Sequence, residues 1–108
     1  MAKFIQDRVA RVPSQNIRCT GGSATITLTG PHALGTDAAQ FQILDGGGSD
    51  RDVYLPDVTT SAGSWFRVYN EGGTNNLVVK AGASIIFTQP ADSSVFYVCD
   101  GFTWSWCL

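Results

Sequence analysis

Turn-forming residues interrupt this chain about every ten positions, and that spacing leaves room only for short extended segments. Gly30-Pro31, Gly46-Gly47-Gly48, Gly72-Gly73, Ala81-Gly82 and Asp100-Gly101 fall between stretches in which apolar and polar side chains alternate. A period of two is the pattern of a strand with one buried face, because successive side chains of extended backbone point to opposite sides. Residue types agree: Val, Ile, Thr and the aromatics make up about a third of the chain, against one Glu (Glu71), two Lys (Lys3, Lys80) and one Met. An all-β fold is expected.

Residues 1–20 read as an N-terminal arm. Phe4, Ile5, Val9, Val12 and Ile17 are scattered among charges, Pro13 breaks any helix, and Gly21-Gly22 ends the segment. Residues 21–108 read as one β domain. Ala24, Ile26 and Leu28 alternate with Thr25, Thr27 and Thr29 as a first strand, and the polar stretch from Gly30-Pro31 to Ala39 reads as a connection. Gln40 to Leu44 and Asp52 to Leu55 look like a pair of strands around a glycine loop. Further strands are expected at 65–69, where both faces carry aromatics, at 77–80 and at 84–88. Val95 to Cys99 and Phe102 to Trp106 flank Asp100-Gly101, a pair preferred in two-residue type I′ hairpins. That register sets Cys99 opposite Phe102, Tyr97 opposite Trp104 and Val95 opposite Trp106, and it sets Cys107 opposite Ser94, so a disulfide to Cys99 is not expected. Eight or nine short strands suggest an antiparallel β-sandwich or jelly roll, with an open barrel as the alternative. No internal sequence repeat is visible.

A chain of 108 residues is the size of one domain. With 44% hydrophobic and 15% charged residues it is not a self-repelling, disordered chain. The net charge of −2 hides an asymmetry, since Lys3, Arg8, Arg11 and Arg18 against Asp7 make the arm basic and the remainder acidic. Such an arm could meet nucleic acid, an acidic membrane or an acidic protein surface; four spaced cations with an intervening Asp are weak evidence for nucleic acid, a solvated or neighbour-paired arm accounts for them at least as well, and neither nucleic acid nor a membrane is expected as a partner. No apolar run approaches the ~18 residues of a membrane span, and Met1 to Arg11 lacks the apolar stretch of a secretory signal. Cys19, Cys99 and Cys107 are odd in number without metal-type spacing, which fits synthesis in a reduced compartment.

Catalytic candidates are few. His32 is the only histidine, so any Ser-His or Cys-His site must use it, and no GxSxG motif is present. Asp45, Asp50 and Asp52 around the glycine run offer oxygen ligands of the kind calcium takes, but the spacing is not that of an EF-hand and Arg51 sits among them, as in an ordinary sharp loop. The glycine run lacks the GK[ST] ending of a phosphate loop. Trp65, Trp104 and Trp106 could form a sugar-stacking platform if two indoles were exposed together, although a domain this small needs its large aromatics in the core. No catalytic, cofactor-binding or metal-binding residues are expected, and the chain reads as non-enzymatic.

The run Phe41-Gln42-Ile43-Leu44-Asp45-Gly46-Gly47-Gly48-Ser49-Asp50-Arg51-Asp52-Val53-Tyr54-Leu55-Pro56 resembles a segment of small tailed-phage structural proteins. So do Phe66-Arg67-Val68-Tyr69-Asn70, Leu77-Val78-Val79-Lys80, and the ending Tyr97-Val98-Cys99-Asp100-Gly101-Phe102-Thr103-Trp104; the resemblance spans about residues 40 to 106. It implies a β-sandwich virion component on the outer capsid surface, a decoration or cement protein made in the host cytoplasm, with the major capsid protein as partner. A trimer at three-fold positions follows from the same analogy. The chain departs from the pattern in the bulk of Phe102, Trp104 and Trp106 in the final hairpin. Within this reading the expected capsid contacts are Lys3, Phe4, Arg8, Arg11 and Arg18 of the arm. The alternative is a receptor- or glycan-binding module of a tail or fibre.

Overall fold

The computed structural model describes residues 25–108; the arm with Lys3, Phe4, Arg8, Arg11 and Arg18 lies outside the described residues. The fold is all-β. Sheet I contains β1 (Ile26–Thr27), β3 (Phe41–Asp45), β5 (Trp65–Asn70), β8 (Ser94–Cys99) and β9 (Trp104–Cys107), side by side in that order. Sheet II contains β2 (His32–Ala33), β4 (Arg51–Tyr54), β6 (Leu77–Ala81) and β7 (Ser84–Gln89). A 3-10 turn, Val58–Thr60, is capped by the Asp57 carboxylate, which accepts the Thr59 N–H at 3.0 Å.

The strand directions correct the antiparallel expectation. From β1 to β6 the chain alternates between the sheets, and each strand lies parallel to the strand two before it: β1 with β3, β3 with β5, β2 with β4, β4 with β6. The first six strands therefore wind as a flattened coil of three two-strand rungs. Only then does the direction reverse, with β7 antiparallel to β6, β8 to β5 and β9 to β8. The glycine loop shows why. Gly46 to Gly48 carries the chain from sheet I across to sheet II instead of folding it back, so β3 and β4 are not a hairpin. Backbone bonds at the corners extend the parallel ladders, including Leu28 N–H to the Asp45 carbonyl (2.7 Å) and Leu55 N–H to the Lys80 carbonyl (2.8 Å). The stretch read as a plain connection contributes β2, while the first strand shrinks to two residues.

The buried faces of both sheets form one core, with Leu44, Val53, Val68, Leu77, Val79 and Val95 fully enclosed and Phe66 and Trp104 nearly so. Burying each such aliphatic side chain contributes about 1.5–3 kcal/mol. The coil's register sets Val53 between His32 and Val79, and Leu44 between Ile26 and Asn70. At the end of the last rung the core turns polar in a network centred on Gln89. Asn70 donates to the Asn75 and Gln89 carbonyls, Gln89 donates to the Val68 and Ser93 carbonyls, and the Tyr97 hydroxyl donates to Gln89 Oε1 at 3.0 Å. All three side chains are completely buried, so these bonds satisfy groups that would otherwise be costly.

The terminal hairpin keeps its expected face but not its register. Cys99 pairs with Trp104 and Tyr97 with Trp106, a shift of two residues, and Cys107 comes opposite Phe96. The loop centres on Gly101-Phe102, with Gly101 at φ 95°. A left-handed glycine in the first central position suits a two-residue loop. Asp100 holds it in place by accepting the N–H groups of Phe102 (2.8 Å) and Thr103 (2.9 Å). A two-residue slip preserves the side-chain alternation. Tyr97, Cys99 and Trp104 thus remain inside, while Phe102 moves to the tip, 89% exposed.

Candidate interaction surface

The outward face of sheet I is unusually aromatic. Alternation on β3, β5 and β8 sends Gln42, Leu44, Phe66, Val68, Val95 and Tyr97 inward, and so sends Phe41, Trp65, Tyr69, Phe96 and Val98 outward. None of these five is buried. Phe41 meets Trp65 edge to face with centroids 6.1 Å apart, and Trp65 meets Phe96 in the same way at 5.1 Å. Edge-to-face contact aligns ring dipoles favourably and fixes the rings as a rigid row across three strands. Arg67 lies over Phe96, 5.7 Å from its centroid, and its Nε donates to Ser94 Oγ at 3.0 Å. The row therefore has one cation at its centre. The described residues place no element over it.

A second apolar seam runs where the outer strands of the two sheets meet. Phe87 of β7 stacks on Trp106 of β9 at 4.1 Å, and Ile85, Trp106 and Leu108 are 59%, 43% and 81% exposed. Between the strand ends, Tyr54, Leu55, Pro56, Asp57, Val58, Ala81 and Gly82 line a cleft of about 480 Å³. Its wall is tied to the core by Trp104, whose indole N–H donates to the Pro56 carbonyl at 2.9 Å.

The residues weighed for chemistry are dispersed. His32 sits half-buried on β2, at an edge of sheet II, while Cys107 is exposed on β9, at the far edge of sheet I, so the two do not form a dyad. Burial pushes the His32 pKa down, and a hydrogen bond with Gln42 partly opposes this. Cys99 is buried. The three loop carboxylates turn to separate partners: Asp45 accepts from Gly47 N–H, Asp50 from Asn76 N–H, and Asp52 pairs with Lys80 at 3.1 Å. Arg51 donates to the Gly46 carbonyl, closing the loop from within. Among the described residues no three His, Cys, Asp or Glu side chains converge as a metal site.

The three indoles have three settings: Trp104 is buried, Trp65 is wedged between Phe41 and Phe96, and Trp106 lies on Phe87. No two are exposed together as a platform. The threonine face of the first strand lies at the outer edge of sheet I, where Thr25 donates to the Glu71 carboxylate. Sequence reasoning assigned the aromatics chiefly to the core and missed the outward row. Its signal was present in Trp65 to Tyr69, where both faces carry rings, and in Phe41 and Phe96, which alternate outward on β3 and β8, the two strands that flank β5. No protein-family model, curated protein or solved structure matches the chain.

Proposed function

We propose that this protein is a non-enzymatic structural module that binds other protein surfaces, in the form of a decoration protein that cements the outer capsid of a tailed phage. The observation that carries the binding role is the aromatic row Phe41–Trp65–Phe96 on the outward face of sheet I. Interfaces gather most of their affinity from a few rigid aromatic and arginine side chains near their centre, and the row supplies three rings around Arg67. Both partners of such a contact need a stiff scaffold, which the two-sheet core provides. The capsid as partner rests on the sequence resemblance, and repetition over a symmetric shell would multiply modest single contacts into stable attachment. The basic arm, Lys3 to Arg18, would extend the interface over an acidic shell.

The test is particle occupancy. Purified shells lacking this protein are incubated with wild-type chain, with Trp65→Ser plus Phe96→Ser, and with a chain lacking residues 1–18, and bound copies are counted by cryo-electron microscopy. The reading expects hundreds of wild-type copies per shell and at least a tenfold loss of apparent affinity for the double variant with its circular dichroism unchanged. Density confined to a tail or fibre would transfer the role to receptor or glycan binding. Full occupancy by the double variant would remove the aromatic row from the interface.

A further inference from the structure

Any partner that settles on the aromatic row also covers Arg67. The strand register places this residue in the middle of the outward face of sheet I. Phe41 lies directly beside it on β3 and Phe96 directly beside it on β8, while Trp65 and Tyr69 stand two residues before and after it on β5. Resting on the contact role proposed for the row, we infer that it recognises a carboxylate of the partner protein, an Asp or Glu side chain flanked by apolar ones, held by the Arg67 guanidinium.

Arg67 Nε donates to Ser94 Oγ at 3.0 Å, and the guanidinium lies over Phe96, 5.7 Å from the ring centroid. These two contacts hold the planar fork in one orientation. Its two terminal amino groups have no acceptor among the described residues, and no described carboxylate pairs with it. Water can solvate those donors on the free face. A partner that covers the row expels that water, and a guanidinium enclosed among rings without an anion is strongly penalised. A partner that brings a carboxylate instead forms a paired, two-bond contact at the centre of the interface, where arginine and aromatic side chains contribute most. Charge also decides between anions. One guanidinium balances the single charge of a carboxylate, whereas a phosphate group carries about −1.5 to −2 at neutral pH. The other two described cations are engaged elsewhere, Arg51 with the Gly46 carbonyl and Lys80 with Asp52. The flat carboxylate also matches the flat fork. Around it, Trp65 and Tyr69 offer ring surface about 7 Å apart from Arg67 along β5, the spacing of alternate residues in an extended segment. An acid with an apolar side chain two positions to either side therefore fits this face.

The experiment is a ¹⁵N-correlated NMR titration of the full chain with the blocked peptide acetyl-Leu-Thr-Glu-Thr-Leu-amide, with the same peptide carrying Gln for Glu, and with inorganic phosphate. The expected result is saturable movement of the Arg67 Nε–H, the Trp65 indole N–H and the backbone amides of Phe41, Arg67 and Phe96 with the Glu peptide. The Gln peptide should bind at least fivefold more weakly, and phosphate should leave the indole signal unmoved. Arg67→Gln should abolish the preference for Glu over Gln. Arg67→Lys, which keeps the charge and loses the fork, should reduce that preference several-fold and serves as the second variant should Arg67→Gln not fold. Absence of saturable shifts with the Glu peptide, equal binding of the two peptides, phosphate acting on the same signals as strongly, or a preference unchanged in the variants would overturn the assignment. The shell experiment separates this from the reading beneath it. Loss of occupancy by Trp65→Ser plus Phe96→Ser without any preference for Glu keeps the row as the contact and removes the carboxylate, whereas full occupancy by that double variant removes the row as the shell contact whatever the peptides show.

Discussion

At the scale of single residues, the buried polar network is where a small change has a large effect. The Tyr97 hydroxyl exists to satisfy Gln89 Oε1, and burial pushes its pKa well up, so it stays a donor across the accessible pH range. Tyr97→Phe keeps the ring and strands the Gln89 oxygen, and it is expected to destabilise by about 1–3 kcal/mol in urea unfolding with the slope unchanged. His32 answers to pH. Because burial lowers its folded-state pKa below the ordinary value of about 6.5, the folded chain prefers the neutral imidazole. Stability is therefore complete above pH ~6.5 and declines as pH falls through the folded-state value. Unfolding free energies at pH 7.5 and pH 5 should show that decline, and His32→Gln should flatten the part of it that this group causes.

At the scale of elements, the corner between β3 and β4 is the most exacting. Gly47 adopts φ +71°, and a Cβ there would run into the Leu28 carbonyl oxygen; a Cβ at Gly46 would meet the Ser49 carbonyl. Gly47→Ala combines backbone strain with a clash against fixed backbone, and a loss of about 2 kcal/mol or more is expected from thermal or urea unfolding. The same corner marks the limit of what the sequence discloses. Strand positions from β3 onward were legible because alternation is local: Gln42 and Leu44 inward, Phe41 outward, need only the period of two. Strand partners were not, because a glycine run looks alike whether it folds a strand back or carries it across to another sheet. The rungs also leave no repeat to read, since the chain from Ile26 to Leu44 is much shorter than that from Leu44 to its neighbour Asn70. The hairpin register slipped because Asp100-Gly101 has two good uses, and the structure spends Asp100 on holding the Phe102 and Thr103 N–H groups. As for the interaction surface, the outward aromatic row does not follow from spacing, since it assembles from strands whose adjacency is long-range.

At the scale of the whole molecule, the fold has two unlike halves. Its coil is closed at one side only by β1 and β2, two residues each, while the antiparallel strands β7, β8 and β9 back the other side and bring Phe87 against Trp106. Edge strands that short hold few ladder bonds and open at low free energy, whereas β5 and β8, paired over five positions around a sealed core, open only with the molecule. Hydrogen exchange should rank the amides of 26–34 fastest among the strands and those of Val68, Val95 and Tyr97 slowest. This gradient has a mechanical meaning. Tension applied through the N-terminus meets the rungs one at a time, so the chain would pay out in steps, first β1 and β2, then β3 and β4, each at modest force. A body held by that end would have a compliant leash that lengthens under load, and the aromatic row across β3, β5 and β8 would lose its first ring only when the second rung gives way.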